Sequence, residues 1–342
     1  MLVWIAFVSL ILCLLALDLG IFHRTARVVT VREALAWSVA WFILALAFGG
    51  FVYGAYEYKW LGLGAADDGQ SALLKYLTGY IVEESLSVDN MFVIAMIFRV
   101  FAIPSLYQHR VLFWGILGAL VMRGAMIGVG AALVAEFSWI LYVFGVFLIV
   151  TAVKMAFMDT GLSDPKDNAI VRLTKRIFPV TDRLDGEHFL VRQPRLMLTP
   201  LALALVMVET TDLLFAVDSI PAIFAITTDP FLVFASNVFA ILGLRSLYFV
   251  LAGALEAFHY LKLSLALVLG LVGTKMLVHT WLENLLGEHF HLYLLAAIVA
   301  ILGGGIIASA IRSRRERATP LRQPQAPATP GAPPSADRVP GR

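Results

Sequence analysis

Stretches of apolar residues long enough to cross a hydrocarbon core recur along the whole chain, and short polar turns separate them. A bilayer-spanning helix needs about 20 residues, because each adds about 1.5 Å and the core is about 30 Å thick. About nine stretches qualify by this measure: residues 2–22, 34–53, 76–98, 111–132, 139–157, 197–224, 231–255, 263–282 and 292–311. With 60% hydrophobic and only 15% charged residues, the composition excludes an ordinary soluble enzyme. The expected fold is therefore all-α, a polytopic helical membrane protein whose main partner is the lipid bilayer.

The first stretch lacks a basic leader and a small-residue cleavage site, so it reads as a retained span. It holds the single cysteine, Cys13, which reads as a small buried apolar residue. Basic residues set orientation, because Lys and Arg are retained in cytoplasmic loops. Arg24, Arg27, Arg32, Arg99, Arg110, Lys262, Arg312, Arg314, Arg315 and Arg317 fall on one side with the basic loop at about 158–196. The other side carries Lys59 and Lys75. The N-terminus is thus expected outside and the C-terminus in the cytoplasm, with a bacterial inner membrane as the host. Residues 1–311 form the membrane domain, and the 158–196 loop carries a surface helix near 170–178. Residues 312–342, rich in Pro, Ala and Arg, read as a disordered cytoplasmic tail.

Charges at bilayer depth are the second constraint. A charge at mid-membrane costs roughly 2.5 to 3.5 kcal/mol, so acids there are functional candidates. They cluster in two spans: Glu83, Glu84 and Asp89 with Asn90 in the third, and Glu209, Asp212 and Asp218 with Ser219 in the sixth. Asp18 adds one in the first. The bases at this depth are Arg123, Arg245 and Lys275, too few to pair every acid. The remaining acids are protonated, hydrated in a cavity, or bound to a cation, which favours a pathway over a strut.

The two clusters also repeat one another. Placing Asp89-Asn90 on Asp218-Ser219 puts Glu83 opposite Asp212, and Arg123 and Arg245 each lie in the following span. The copies are three spans apart, in the third and the sixth, so they run in opposite directions, as in an inverted repeat with a midplane site. Glu83 and Asp89 are rotated about 240° apart on a continuous helix. A helix break near Asp89-Asn90 and at Pro221 would bring them together and free backbone carbonyls for a cation; the alternative is that Pro221 only kinks its helix.

Carboxylates, an amide and hydroxyls form a hard donor set suited to Mn²⁺, Mg²⁺ or Ca²⁺. The histidines fall in loops or at helix ends, save His279, and Met91 and Met207 beside the acids read as packing. There is no nucleophile motif, phosphate loop or HExxH helix, so the chain is not expected to be an enzyme, nor to bind nucleic acid or an organic cofactor.

The sequence resembles the TerC family of membrane proteins. The likeness lies in Glu83-Glu84-Ser85-Leu86-Ser87-Val88-Asp89-Asn90, Arg110-Val111-Leu112-Phe113-Trp114-Gly115, Thr199-Pro200-Leu201, Ala216-Val217-Asp218-Ser219-Ile220-Pro221-Ala222, Ser236-Asn237 and Ile241-Leu242-Gly243-Leu244-Arg245-Ser246. That resemblance implies a helical fold similar to the LysE transporter superfamily and a role in manganese(II) efflux. The alternative it implies is an accessory to the secretion machinery that supplies metal to exported proteins. It carries a metal role onto Glu83, Asp89, Asn90, Asp212, Asp218 and Ser219, supported by Asp18, Glu84, Glu209, Arg123 and Arg245. Tellurite resistance is expected only indirectly, since an oxyanion is repelled by excess carboxylates. Mn²⁺ is the expected substrate, exchanged for protons.

Overall fold

The computed structural model describes the chain except residues 1, 23–29, 65–66, 138, 158–168, 182, 194, 252–259, 279–289 and 319–342. Ten α-helices are described: α1 (Leu2–Phe22), α2 (Val31–Glu57), α3 (Gly69–Val100), α4 (Ser105–Glu136), α5 (Ile140–Phe157), α6 (Ala169–Ile177), α7 (Pro200–Phe224), α8 (Pro230–Leu251), α9 (Leu261–Leu277) and α10 (Phe290–Ala318). One antiparallel hairpin, β1 (Leu190–Gln193) with β2 (Arg195–Leu198), lies between α6 and α7.

Over its described residues each expected span falls on one helix to within one residue, except that residues 197–199 belong to β2 and the α7 cap. Six of them, α2, α4, α5, α7, α8 and α10, are long and apolar enough to cross a membrane. α3 has the length, at 32 residues, but its acids lower its apolarity. α9 is described over 17 residues.

Helix starts follow from local chemistry. Thr30, Asp68 and Thr199 each accept a backbone N–H from the first turn of α2, α3 and α7, satisfying donors that a helix start leaves unpaired. Asp229 does the same for α8, accepting from Phe231 at 2.8 Å, and its other oxygen takes the Tyr56 hydroxyl at 2.6 Å. That bond ties the end of α2 to the start of α8.

The packing closes on the repeat. Exchanging α3, α4 and α5 for α7, α8 and α9 turns the α3–α8 contact into α4–α7 and the α5–α7 contact into α3–α9. The α3–α7, α4–α8 and α5–α9 contacts map onto themselves. α5 and α9 approach closest where Gly145 faces Gly273: a Cβ on Gly273 would sit 2.9 Å from the Gly145 carbonyl oxygen. Small residues allow such approach, which is how helices pack in lipid.

Three expectations are corrected. α3 and α7 are unbroken, with Pro221 inside the last turn of α7, so the two expected breaks do not form. The lost bond falls next to the helix end, where the Ala225 N–H closes the turn on the Pro221 carbonyl at 3.0 Å. Cys13 is exposed on the outer face of α1, not buried, because α1 packs through Val3, Phe7, Ile11 and Leu15. α10 continues to Ala318, so the segment expected as a tail begins as helix; residues 319–342 lie outside the described residues. The helix expected near 170–178 is α6, while His279 and residues 158–168 lie outside the described residues.

Candidate cation site

Arg123 organises the centre. It projects from α4 with its side chain buried and meets acids from both halves of the repeat. Its Nη1 forms an ion pair with Glu83 on α3, and Nε and Nη2 donate to the two oxygens of Asp212 on α7 at 3.1 and 2.8 Å. Nη1 also reaches Ser219 Oγ at 3.4 Å, and Asn90 Nδ2 donates to Asp212 at 3.3 Å. Glu83 lies level with Ser219 and Asn90 with Asp212, so numbers rise along α3 as they fall along α7. The two helices are antiparallel, as an inverted repeat requires.

On one side of this α3–α7 pair lies a cavity of about 40 Å³, room for about three waters. Glu83, Ser87, Asp89 and Asn90 of α3 line it with Asp218 and Ser219 of α7, and Arg123, Thr151, Met155, Leu86, Phe215 and Leu269 complete the wall. Glu83 and Asp89 share it without a helix break. The lining residues of α3 span a sector of about 160°, with Asp89 at one edge, and the cavity wraps around that sector.

On the other side of the pair a cavity of about 30 Å³ is lined by Asp212, Arg245, Tyr248 and Met91 among apolar side chains. The Arg123–Asp212–Asn90 cluster thus stands between two cavities.

The cavity acceptors are short of donors. Glu83 Oε2, Ser87 Oγ and Asn90 Oδ1 are buried and have no hydrogen-bond partner among the described residues. A buried acceptor left unpaired costs about 1 to 3 kcal/mol, so each calls for a partner. Among the described residues the one hydrogen bond Asp218 accepts is from the Thr151 hydroxyl, at a long 3.4 Å.

Of the six expected metal residues, Glu83, Asp89, Asn90, Asp218 and Ser219 share the first cavity. Asp212 does not line it, because its carboxylate is turned to Arg123. Glu84 faces away from this cavity, toward Gly243 of α8, and the Glu209 carboxylate presses on Gly118 of α4. Arg245 belongs to the second cavity, and the Asp18 side chain lies outside the described residues. Among the described residues no three His, Cys, Asp or Glu converge as a closed metal cluster. Amide, hydroxyl and thioether groups complete the wall.

Sequence reasoning missed α5. Thr151 and Met155, one helical turn apart on one face, both line the cavity. Thr151 is the single Ser or Thr in α5, and a lone hydroxyl in an apolar span was the available signal. Met91 lines the second cavity and Met207 is core, so neither is the cavity methionine.

Residues 68–317 match the family model described as "Integral membrane protein TerC family". The chain is 49% identical over 312 residues to the "Uncharacterized membrane protein STKORF319" of Myxococcus xanthus, covering 91% of this chain and 92% of that protein. It is 47% identical over 279 residues to the "Putative membrane-bound redox modulator Alx" of Escherichia coli (strain K12), covering 81% of this chain and 86% of that protein. A protein of Rickettsia bellii named only as an uncharacterized membrane protein is 40% identical over 90% of this chain and 97% of its own length. No solved structure matches.

Proposed function

The chain belongs to the integral membrane protein TerC family, and from that premise we propose that it is a transporter that exports a divalent metal cation, Mn²⁺ foremost. The observation that carries this reading is the donor set of one intramembrane cavity. Asp89 and Asp218, contributed by the two halves of the repeat, line it together with three buried oxygens that lack donors. A cation supplies the positive charge these oxygens lack, whereas an anion would face the carboxylates of Asp89 and Asp218.

Arg123 sharpens the electrostatics. By holding Glu83 and Asp212 it offsets part of their charge, which leaves Asp89 and Asp218 as carboxylates without an arginine contact in the cavity wall. Two carboxylates and neutral oxygens suit a divalent ion. Exporting two positive charges against a potential negative inside opposes about 4.6 kcal/mol per 100 mV, so the outward step needs a driving ion. Carboxylates bind protons or metal in exchange, and proton antiport follows from that competition. With the basic loops in the cytoplasm, α3 runs inward and α7 outward.

The redox wording attached to the Escherichia coli relative translates poorly into thiol chemistry here. The sole cysteine, Cys13, cannot form an intrachain dithiol couple. A redox consequence of altered metal supply is consistent with the transport reading. The test is metal flux in proteoliposomes of purified protein, with Mn²⁺, Mg²⁺, Ca²⁺ and Zn²⁺ compared under an imposed proton gradient. Flux of Mn²⁺ accelerated by the gradient supports the reading; no movement of any divalent ion, with or without the gradient, overturns it.

A further inference from the structure

The chain between α5 and α7 carries a surface that transport leaves unused. α6 has nine residues and packs against α7 through Val171, buried among Leu201 and Ala204. Successive helical residues turn by about 100°, which places Leu173 and Ile177 together, about 120° to 160° around the axis from Val171 and so turned away from α7. They are 55% and 62% exposed, and Phe178 just beyond is 54% exposed. Arg172, Lys175 and Arg176 occupy the remaining face and are exposed as well. Large exposed apolar side chains flanked by cations on a short amphipathic helix are the pattern of a helix lying in a membrane interface.

The hairpin repeats the pattern. Val191 points inward and is buried, while Leu190 and Arg192 are exposed on the other face. Leu196, opposite Arg192 across the ladder, is 60% exposed, and Arg195 is exposed beside it. Among the described residues the acids nearby are Asp185 and Glu187, and Glu187 is engaged by Arg110 at 2.9 Å. The patch is therefore apolar and cationic at once.

Its height in the membrane follows from α7. β2 ends at Leu198 and Thr199 caps α7. A helix of 25 residues is about 37 Å long, slightly more than the hydrocarbon core, so its first turn stands at the lipid headgroups. α6 and the hairpin, attached there, are continuous with the bilayer surface.

We infer that α6 and the hairpin dock on an anionic lipid surface. Leu173, Ile177 and Phe178 enter the boundary between headgroups and acyl chains, while Arg172, Lys175 and Arg176, with Arg192, engage lipid phosphates. The inference stands on this patch alone and does not rest on the transport reading.

The test uses the full chain with Cys13→Ser, which frees it of native thiols, and a nitroxide placed at Leu173→Cys or Ile177→Cys. The protein is reconstituted in nanodiscs of phosphatidylcholine, alone or mixed with phosphatidylglycerol, and label depth is read from oxygen and nickel-chelate accessibility. In discs containing phosphatidylglycerol both labels should lie about 5 to 10 Å inside the interface. Exchanging Arg172, Lys175 and Arg176 for Gln should lower the equilibrium constant for insertion roughly five-fold per cation. Labels accessible to the nickel chelate in both lipids overturn the docking. Equal depth in both lipids, unmoved by the triple exchange, overturns the anionic selectivity.

Discussion

Arg123 holds Asp212 through two parallel hydrogen bonds, 3.1 Å from Nε and 2.8 Å from Nη2, while its Nη1 pairs with Glu83 on the other half of the repeat. Removing the guanidinium strands two carboxylates in a buried setting, and breaking a buried pair from one side costs about 3 to 5 kcal/mol. Arg123→Gln should lower the thermal midpoint in detergent sharply. Arg123→Lys should recover only part of it, since an ammonium cannot reproduce the fork. A midpoint unchanged in both variants would show that the cluster does not hold α3 to α7.

Asp89 and Asp218 present the opposite case. Both line the cavity, and neither contacts an arginine there. Asp89→Asn and Asp218→Asn keep the shape and remove one charge each, so the variants should insert and melt like the parent. Under the proposed function each should lose Mn²⁺ flux in proteoliposomes and manganese tolerance in cells. Normal tolerance at matched expression in both variants would assign these acids to structure.

The spans were legible because apolar runs of bilayer length have one economical solution, and the caps Thr30, Asp68 and Thr199 mark helix starts by their own hydrogen bonds. The repeat was legible in Asp89-Asn90 and Asp218-Ser219. What escaped was direction around the helix axis. Glu83 and Glu84 are adjacent in sequence, yet one meets Arg123 and the other turns toward Gly243 of α8. Asp212 and Asp218, the same residue type on the same helix, part because Arg123 reaches from α4 to claim one of them. Which helix packs on which face is a tertiary fact, and α5 entered the site for the same reason.

Glycine exchanges separate close packing from simple helix flexibility. A Cβ on Gly118 would run into the Glu209 carboxylate, whereas a Cβ on Gly50 meets nothing within 4 Å. Gly118→Ala should destabilise by about 1 to 3 kcal/mol through overpacking. Gly50→Ala should be neutral or stabilising by up to about 1 kcal/mol, as alanine is the better helix former. Denaturation midpoints of the two variants in one detergent check the contrast; equal shifts would contradict the placement of Glu209 against α4.

Basic residues are retained in cytoplasmic loops, which predicts a topology that labelling can test. A reporter fused after residue 311 should be active in the cytoplasm. In a Cys13→Ser background, a cysteine introduced at Gln70 should react with an impermeant maleimide added to intact cells. Reaction only after permeabilisation would reverse the assigned orientation and, with it, the direction of transport.

Met155 bears on which ion the cavity prefers. It stands one turn from Thr151 on α5, in the same wall as Asp89 and Asp218, and is the cavity's one sulfur among the described lining residues. Oxygen donors alone treat Mn²⁺, Mg²⁺ and Ca²⁺ as hard ions of different size, while a thioether interacts measurably only with the softer transition metal. Met155→Leu conserves volume and removes the sulfur, so packing should change by less than about 1.5 kcal/mol. Under the proposed function this variant should transport Mn²⁺ less selectively, with Mg²⁺ and Ca²⁺ competing at lower concentration. Competition flux in proteoliposomes measures the ratio directly. An unchanged ratio together with an unchanged melting midpoint would leave Met155 as wall material, and selectivity would then fall to the spacing of the carboxylates.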